Sequence, residues 1–395
     1  MTSPVDTTVK HIHSGMAGAP VLSGTANALI AVLDAFLNTG FGLQNVTSLV
    51  VAGGVATATV PATPSASVNA VILVAGATPA GLNGEQRVTA VSGNTVSWAT
   101  ALADGAATGG AITLKVAPLG WSKVFNGASL AAYKSADLLS SGMFLRVDDS
   151  GAKNARVVAY EAMTDINTGI KPFPVDAQAA GGYYWPKSRT ADATARPWYA
   201  FGDARGFYLC INPGSVSAHS IIVFFGDPNC NKSGDAYGAV LHGMPADYTD
   251  YGGQVLQCLG YSAKGSGQGS VARASNALGG AQLALHVGTL HIGNTDSYSG
   301  YSAYSMLEYP NKADNGLLFC KVAEIDNAGL RSTLPGLYHV PQGKACDAFS
   351  PLGIEQATGD LTGRVMMAVR PGATSYAAAG YYGVVFFDLT GPWRD

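Results

Sequence analysis

His11 and His13 form an H-x-H pair, and on a strand that spacing points two imidazoles to one face, as two metal ligands would need. A metal site requires further ligands. The chain holds no HExxH, no CxxC pair and no EF-hand loop to supply them, so both residues read as solvent or interface histidines with no metal. The acidic turn at Asp148 and Asp149, closed by Asn154, has the oxygen-rich look of a calcium loop. It lacks the closing glutamate and the Asp-x-Asp-x-Asp rhythm, and reads as a polar hairpin turn, with Arg146 and Arg156 placed to cross-pair with its acids. Nucleophile elbows and Walker loops are absent, and the glycine-rich run Gly265–Gly269 has no lysine to close it. Glu161, Asp165, Glu308 and Glu324 could serve as paired carboxylates, but nothing in their spacing singles out a pair. The expectation is a chain without catalytic residues and without a cofactor.

Aromatic residues on a small polar background give a different signal. Tyr298, Tyr301 and Tyr304 alternate with serine and glycine; Tyr248 and Tyr251 form a second patch, and Tyr183, Tyr184 and Trp185 a third. Binding loops use this composition, because rigid rings supply contact area at low entropic cost while small neighbours adapt. Two readings stand side by side. The rings pack beneath long loops and close a β-core, or they contact a glycan, a receptor or a neighbouring subunit.

The elements that must carry these residues are mostly strands. Charged residues make up 12% of the 395, about half the usual share, while 50 glycines accompany abundant small and β-branched residues. Such a mixture favours short strands and tight turns over surface helices. Residues 1–20 read as an extended arm. From Ser23 to Thr39 the apolar residues Leu29, Ile30, Leu33, Phe36 and Leu37 recur at helical spacing, with Ser23 or Thr25 as cap and Gly40 as terminator. This arm and helix, through His11, His13, Leu29, Leu33 and Phe36, either pack on their own domain or dock on a neighbouring subunit.

Six apolar runs between Ser48 and Val116, separated by glycine and asparagine turns, predict a small all-β module over 46–117. Larger aromatics follow. Strands are expected at Trp121–Phe125, Ala131–Tyr133, Met143–Val147, Ala155–Glu161, Trp198–Phe201, Gly206–Ile211, Ser220–Phe225, Ala281–His286, Gly316–Ile325, Arg364–Val369 and Tyr382–Asp388. The division is therefore an arm and helix over 1–45, the small module over 46–117, and a larger β-rich domain over 118–395, divisible near 175–200. The fold class is mainly β, multi-domain, with sandwich- or barrel-like modules and one N-terminal amphipathic helix.

Five widely spaced cysteines favour buried reduced thiols over a disulfide framework. A net charge of −3 without a basic cluster argues against nucleic acid as a partner. No run of apolar residues is long enough to span a membrane, and the polar start lacks the pattern of a secretory signal.

The opening VDTTVKHIHSGMAGAPVLSGTANALIAVLDAF resembles the N-terminus of tail and virion structural proteins of proteobacterial tailed phages and prophages. GWSKVFNGASLAAYKSAD, FLRVDDSGAKNARVVAYEAMTDINTG, PFPVDAQAAGGYYWPKS and VVFFDLTGPW are similar to later parts of such proteins. The segment 46–117 is similar to small β-modules inserted in phage tail and neck proteins. The resemblance covers most of the chain, least in 226–315, and implies a non-enzymatic component of the tail, neck or baseplate. It would be made in the bacterial cytoplasm and built into the virion as a homo-oligomer among other virion proteins. Host-surface recognition of a glycan or protein through the tyrosine-rich loops is the alternative. No catalytic residue is carried over.

Overall fold

Short β-branched runs between glycine turns become strands in the computed structural model, which describes residues 3–214, 219–230, 237–245, 247, 259, 270–274, 284–290, 309–326, 329–342, 345–371 and 383–394. The fold is mainly β, with an eight-stranded, a six-stranded and a thirteen-stranded sheet. The eight-stranded sheet runs from Phe41–Asn45 through the strands of residues 48–116, all antiparallel. Alternate residues face inward: Leu49 and Val51, Ala56 and Ala58, Val96 and Trp98 close one core, with Trp98 wholly buried. That period of two was legible in the sequence, and the expected strands fall within a few residues of the observed ones. Phe41–Asn45 was not expected as a strand. It has no apolar alternation and is recruited by pairing with Thr113–Val116.

The six-stranded sheet, Ser122–Gly127 to Tyr183–Pro186, packs one face on the thirteen-stranded sheet. Phe207 is the centre of that contact. Its ring meets Phe36, Trp121, Trp185 and Phe225 edge-on, with centroids 5.5 to 6.4 Å away, the geometry that aromatic quadrupoles prefer. The strand Gly206–Ile211 is buried on both faces, so it reads as a continuous apolar run and not an alternating one. Its other face, with Tyr208 and Cys210, meets strands from the far end of the same sheet. Phe201 stacks on Phe387 at 4.2 Å, and His219–Gly226 pairs in parallel with Val365–Pro371, so the large sheet curls over its own core.

The N-terminal helix differs from its expectation in start and in form. The α-helix covers Ala28–Leu33 and continues as a π-helical turn over Asp34–Thr39. Neither Ser23 nor Thr25 caps it; their hydroxyls bond each other at 2.8 Å. The cap comes from Asp149, whose Oδ2 accepts from the backbone N–H groups of Leu29 (2.7 Å) and Ile30 (3.0 Å). Open N–H groups at a helix start need an acceptor, and a carboxylate also suits the positive end of the dipole. The other oxygen of Asp149 accepts from Lys187 Nζ at 2.5 Å, both side chains being 0% exposed. Lys187 gives its two remaining protons to Thr25 O and Gly151 O. At the far end Gly40 has a φ of 67°, and a Cβ there would lie 2.2 Å from Val116 O.

The segment expected to be an extended arm contains a strand. Lys10–His13 is an edge strand of the large sheet, paired with Trp198–Asp203. Arg87 then ties three stretches together. Its Nε donates to Asp6 O, Nη1 to Asn69 O and Leu389 O, and Nη2 to Val9 O and Thr390 O, so all five N–H groups end on backbone carbonyls. Arg146 and Arg156 do not pair with the acidic turn. Arg146 donates to Ile166 O, while Arg156 reaches Ala180 O and Gly182 O and lies over the Tyr184 ring.

Replacing Lys187 by methionine leaves Asp149 buried without its cation. Urea unfolding followed by circular dichroism should show Lys187→Met less stable by about 3–5 kcal/mol. A loss below 1 kcal/mol would remove the pair from its structural role.

Candidate functional site

The aromatic segment Tyr183-Tyr184-Trp185 is not a loop. It forms the strand Tyr183–Pro186, paired with Asn154–Met163, and alternation sends Tyr183 and Trp185 into the core at 0% exposure. Trp185 Nε1 donates to His242 O at 2.7 Å. Only Tyr184 is partly open, under the Arg156 guanidinium 3.7 Å from its ring centre. Tyr183 and Trp185 therefore serve as core packing. Tyr248, Tyr251, Tyr298, Tyr301 and Tyr304 lie outside the described residues.

His11 and His13 do share one face of their strand, as their spacing requires. Each sits over the aromatic residue opposite it, His11 over Phe201 and His13 over Tyr199. Among the described residues no group of three or more His, Cys, Asp or Glu is placed to hold a metal ion. Burial, with His13 and Arg87 nearby, drives the His11 imidazole down to about 3. Leu29, Leu33 and Phe36 are at most 1% exposed and belong to the chain's own core, leaving no apolar helix face for a neighbour. Cys210, Cys320 and Cys346 form no disulfide. No helix among the described residues is long and apolar enough to cross a membrane.

Of the four acids considered for catalysis, Glu161 pairs with Lys171 at 3.0 Å and Asp165 accepts from Asn167 N in an exposed turn. Glu308 is outside the described residues. Glu324 is sealed at 0% exposure, neither carboxyl oxygen has a hydrogen-bond partner, and burial pushes its carboxyl well up. Ser332 faces it in register and its hydroxyl is likewise buried without a partner. A group enclosed in this way reaches no substrate.

A cleft of about 280 Å³ is the concave feature where charged groups gather. Four distant stretches build it: Thr8, the turn after Leu130–Lys134, the hairpin turn at Asp203–Gly206, and residues 392–394. Asp203 Oδ1 accepts from Arg205 N and Gly206 N at 2.8 Å, which closes the hairpin turn. Its Oδ2 accepts from Arg394 Nε at 2.7 Å. Asp227 accepts from Ser141 N, Ser141 Oγ and Arg205 Nε. Two of the acids here are thus consumed in joining loops, and neither is open to act as a general base. What faces solvent is the rest of Arg205, part of Asp137, and the side chain of Leu139, which is 76% exposed. Those groups can bind by shape, hydrogen bonding and apolar contact. Sequence reasoning missed the cleft, since its parts are scattered from Thr8 to Arg394 and none carries a motif.

No family model matches the chain, and no curated protein matches it either.

Two buried groups give opposite pH dependences. The unfolded His11 gains a proton near 6.5 but the folded one resists until about 3, so its contribution is complete above 6.5 and is lost as pH falls. His11→Phe should abolish a loss of about 3 kcal/mol between pH 7 and pH 4, measured by urea unfolding. An unchanged slope would refute the assignment. Glu324 keeps its proton when folded, so the fold is disfavoured as pH rises above the unfolded value of 4.5. Glu324→Met should be the more stable protein at pH 8 by about 1–3 kcal/mol or more, and the gain should shrink as pH falls below 4. A variant that is less stable at pH 8 would show the carboxyl to be partnered.

Proposed function

We propose that this chain is a non-enzymatic structural component of a tailed-bacteriophage particle, positioned in the tail, neck or baseplate and held there by subunit contacts. Phage origin rests on the resemblance of the N-terminal, central and C-terminal segments quoted above. The structural role rests on one observation above all: several buried charged side chains serve as joints. Lys187 and Asp149 fix the helix, Arg87 binds five carbonyls, and Asp203 and Asp227 hold loops at and beside the cleft. A protein built to sit among copies and neighbours needs rigid joints and little surface charge. The 12% charged composition agrees with that requirement.

Host-surface recognition is the second reading, favoured by tyrosine set among serine and glycine over 296–305. Location separates the two. Purified particles from the cell that encodes the chain should contain it in many copies by quantitative mass spectrometry. Antibody–gold labelling should then mark a ring at the neck, tail or baseplate. Labelling confined to projecting distal fibres, with antibody blocking adsorption, would favour recognition. A chain found in the soluble lysate and never in particles would overturn both.

A further inference from the structure

Beside the cleft, Leu138 and Leu139 occupy the centre of a turn in which Ser140 N donates to Asp137 O at 3.1 Å. Turn centres ordinarily hold Asp, Asn, Gly, Ser or Pro, which suit water and the turn backbone. Here two leucines stand out at 98% and 76% exposure, and Leu138 is the most exposed large apolar side chain among the described residues. The turn is braced. Asp137 Oδ1 accepts from Leu139 N, Ser135 Oγ donates to Ala204 O at 2.6 Å, and Ser141 donates twice to Asp227. Both feet of the turn are therefore anchored to the large sheet, and the leucines form a fixed projection. Two adjacent leucines held out in this way form an apolar patch that a contact would cover.

Its charged neighbours point to the partner. Arg205 uses only its backbone N–H and Nε within the chain, leaving its terminal nitrogens uncommitted, and Asp137 uses only Oδ1. One patch thus carries an apolar projection, an apolar-walled cleft with Trp393 and Pro392, one open donor edge and one open acceptor oxygen. Such a patch is complementary to itself. Around a two-fold axis beside it, the Leu138 turn of each copy would meet the cleft of the other, and Arg205 of each copy would face Asp137 of the other. We infer that the Leu138–Leu139 turn and the adjoining cleft form an isologous interface through which two copies of this chain pair.

This inference rests on the reading of the chain as a subunit that assembles, and names the first contact it makes. Sedimentation equilibrium of the full chain over a wide concentration range is the test. The wild type should fit a monomer–dimer equilibrium. Leu138→Asp should raise the dissociation constant by about 100-fold or more, because a buried leucine is lost at two symmetric places. Leu138→Met should dimerise nearly as the wild type does, and Asp137→Asn, which keeps the turn acceptor, should weaken pairing and its salt dependence together. Leu138 is exposed, so these variants should melt as the wild type does at protein concentrations well below the wild-type dissociation constant. A wild type that stays monomeric throughout would overturn the inference. So would a Leu138→Asp dimer as tight as the wild type, or assembly into odd-numbered rings or open polymers. A monomeric chain that is nevertheless found in particles defeats the inference and leaves the structural role standing. A dimer that never enters particles supports the inference and defeats that role.

Discussion

A lysine and an aspartate with no exposure at all hold the centre of this molecule together. Asp149 lies at the end of one strand of the six-stranded sheet, Lys187 follows another, and the helix start is bound between them. Burying two charges costs several kcal/mol per ion, so the pair is tolerable only because every partner is supplied. The lysine has three acceptors for three protons, and the aspartate has the ammonium on one oxygen and two helix N–H groups on the other. Helix, hairpin turn and strand must arrive together for any of them to be satisfied. The aromatic packing around Phe207 then follows, since Phe36 comes from that helix and Trp185 from the strand that precedes Lys187.

Arg87 does for the periphery what the buried pair does for the centre. The small sheet has its own core, and one guanidinium ties it to the remainder by reaching carbonyls of residues 6, 9, 389 and 390. Lys10 adds a second joint, donating to Glu85 and to Pro118 O. Beginning, small sheet and final strand are stitched at one place. In a chain with so few charges, Lys187, Asp149, Arg87 and Lys10 make directional, hydrogen-bonded joints, while Glu324 is buried without a partner. The braced leucine turn is held by the same kind of joint at Ser141 and Asp227.

Local regularity made much of the fold legible. Period-two alternation and glycine turns marked the strands of 48–116, and continuous apolar runs marked Gly206–Ile211 and its neighbour His219–Gly226. Strands without such patterns escaped. Gly169–Phe173 contains Pro172 and a left-handed Lys171, and Phe41–Asn45 is half polar; both are strands because an edge was available to pair with. The helix was legible from its apolar face, but its start was not, because the capping group lies some 120 residues away. The same distance problem hid the cleft, and it made Tyr183 and Trp185 look like loop residues when the strand sends them inward.

By itself, then, the chain's sequence determined a mainly β fold, an amphipathic helix near the N-terminus, and the absence of any local motif for chemistry. Those properties depend on residues within a few positions of one another, where steric preference and periodicity act directly. Tertiary structure decided which charges are buried and with what partners, that the arm is an edge strand, and that the tyrosine-tryptophan run is core. It also decided that two leucines project beside a cleft made of four distant stretches. Each of those depends on which segments meet in space, and a hydrogen bond or a cavity forms only where both sides have already been brought together.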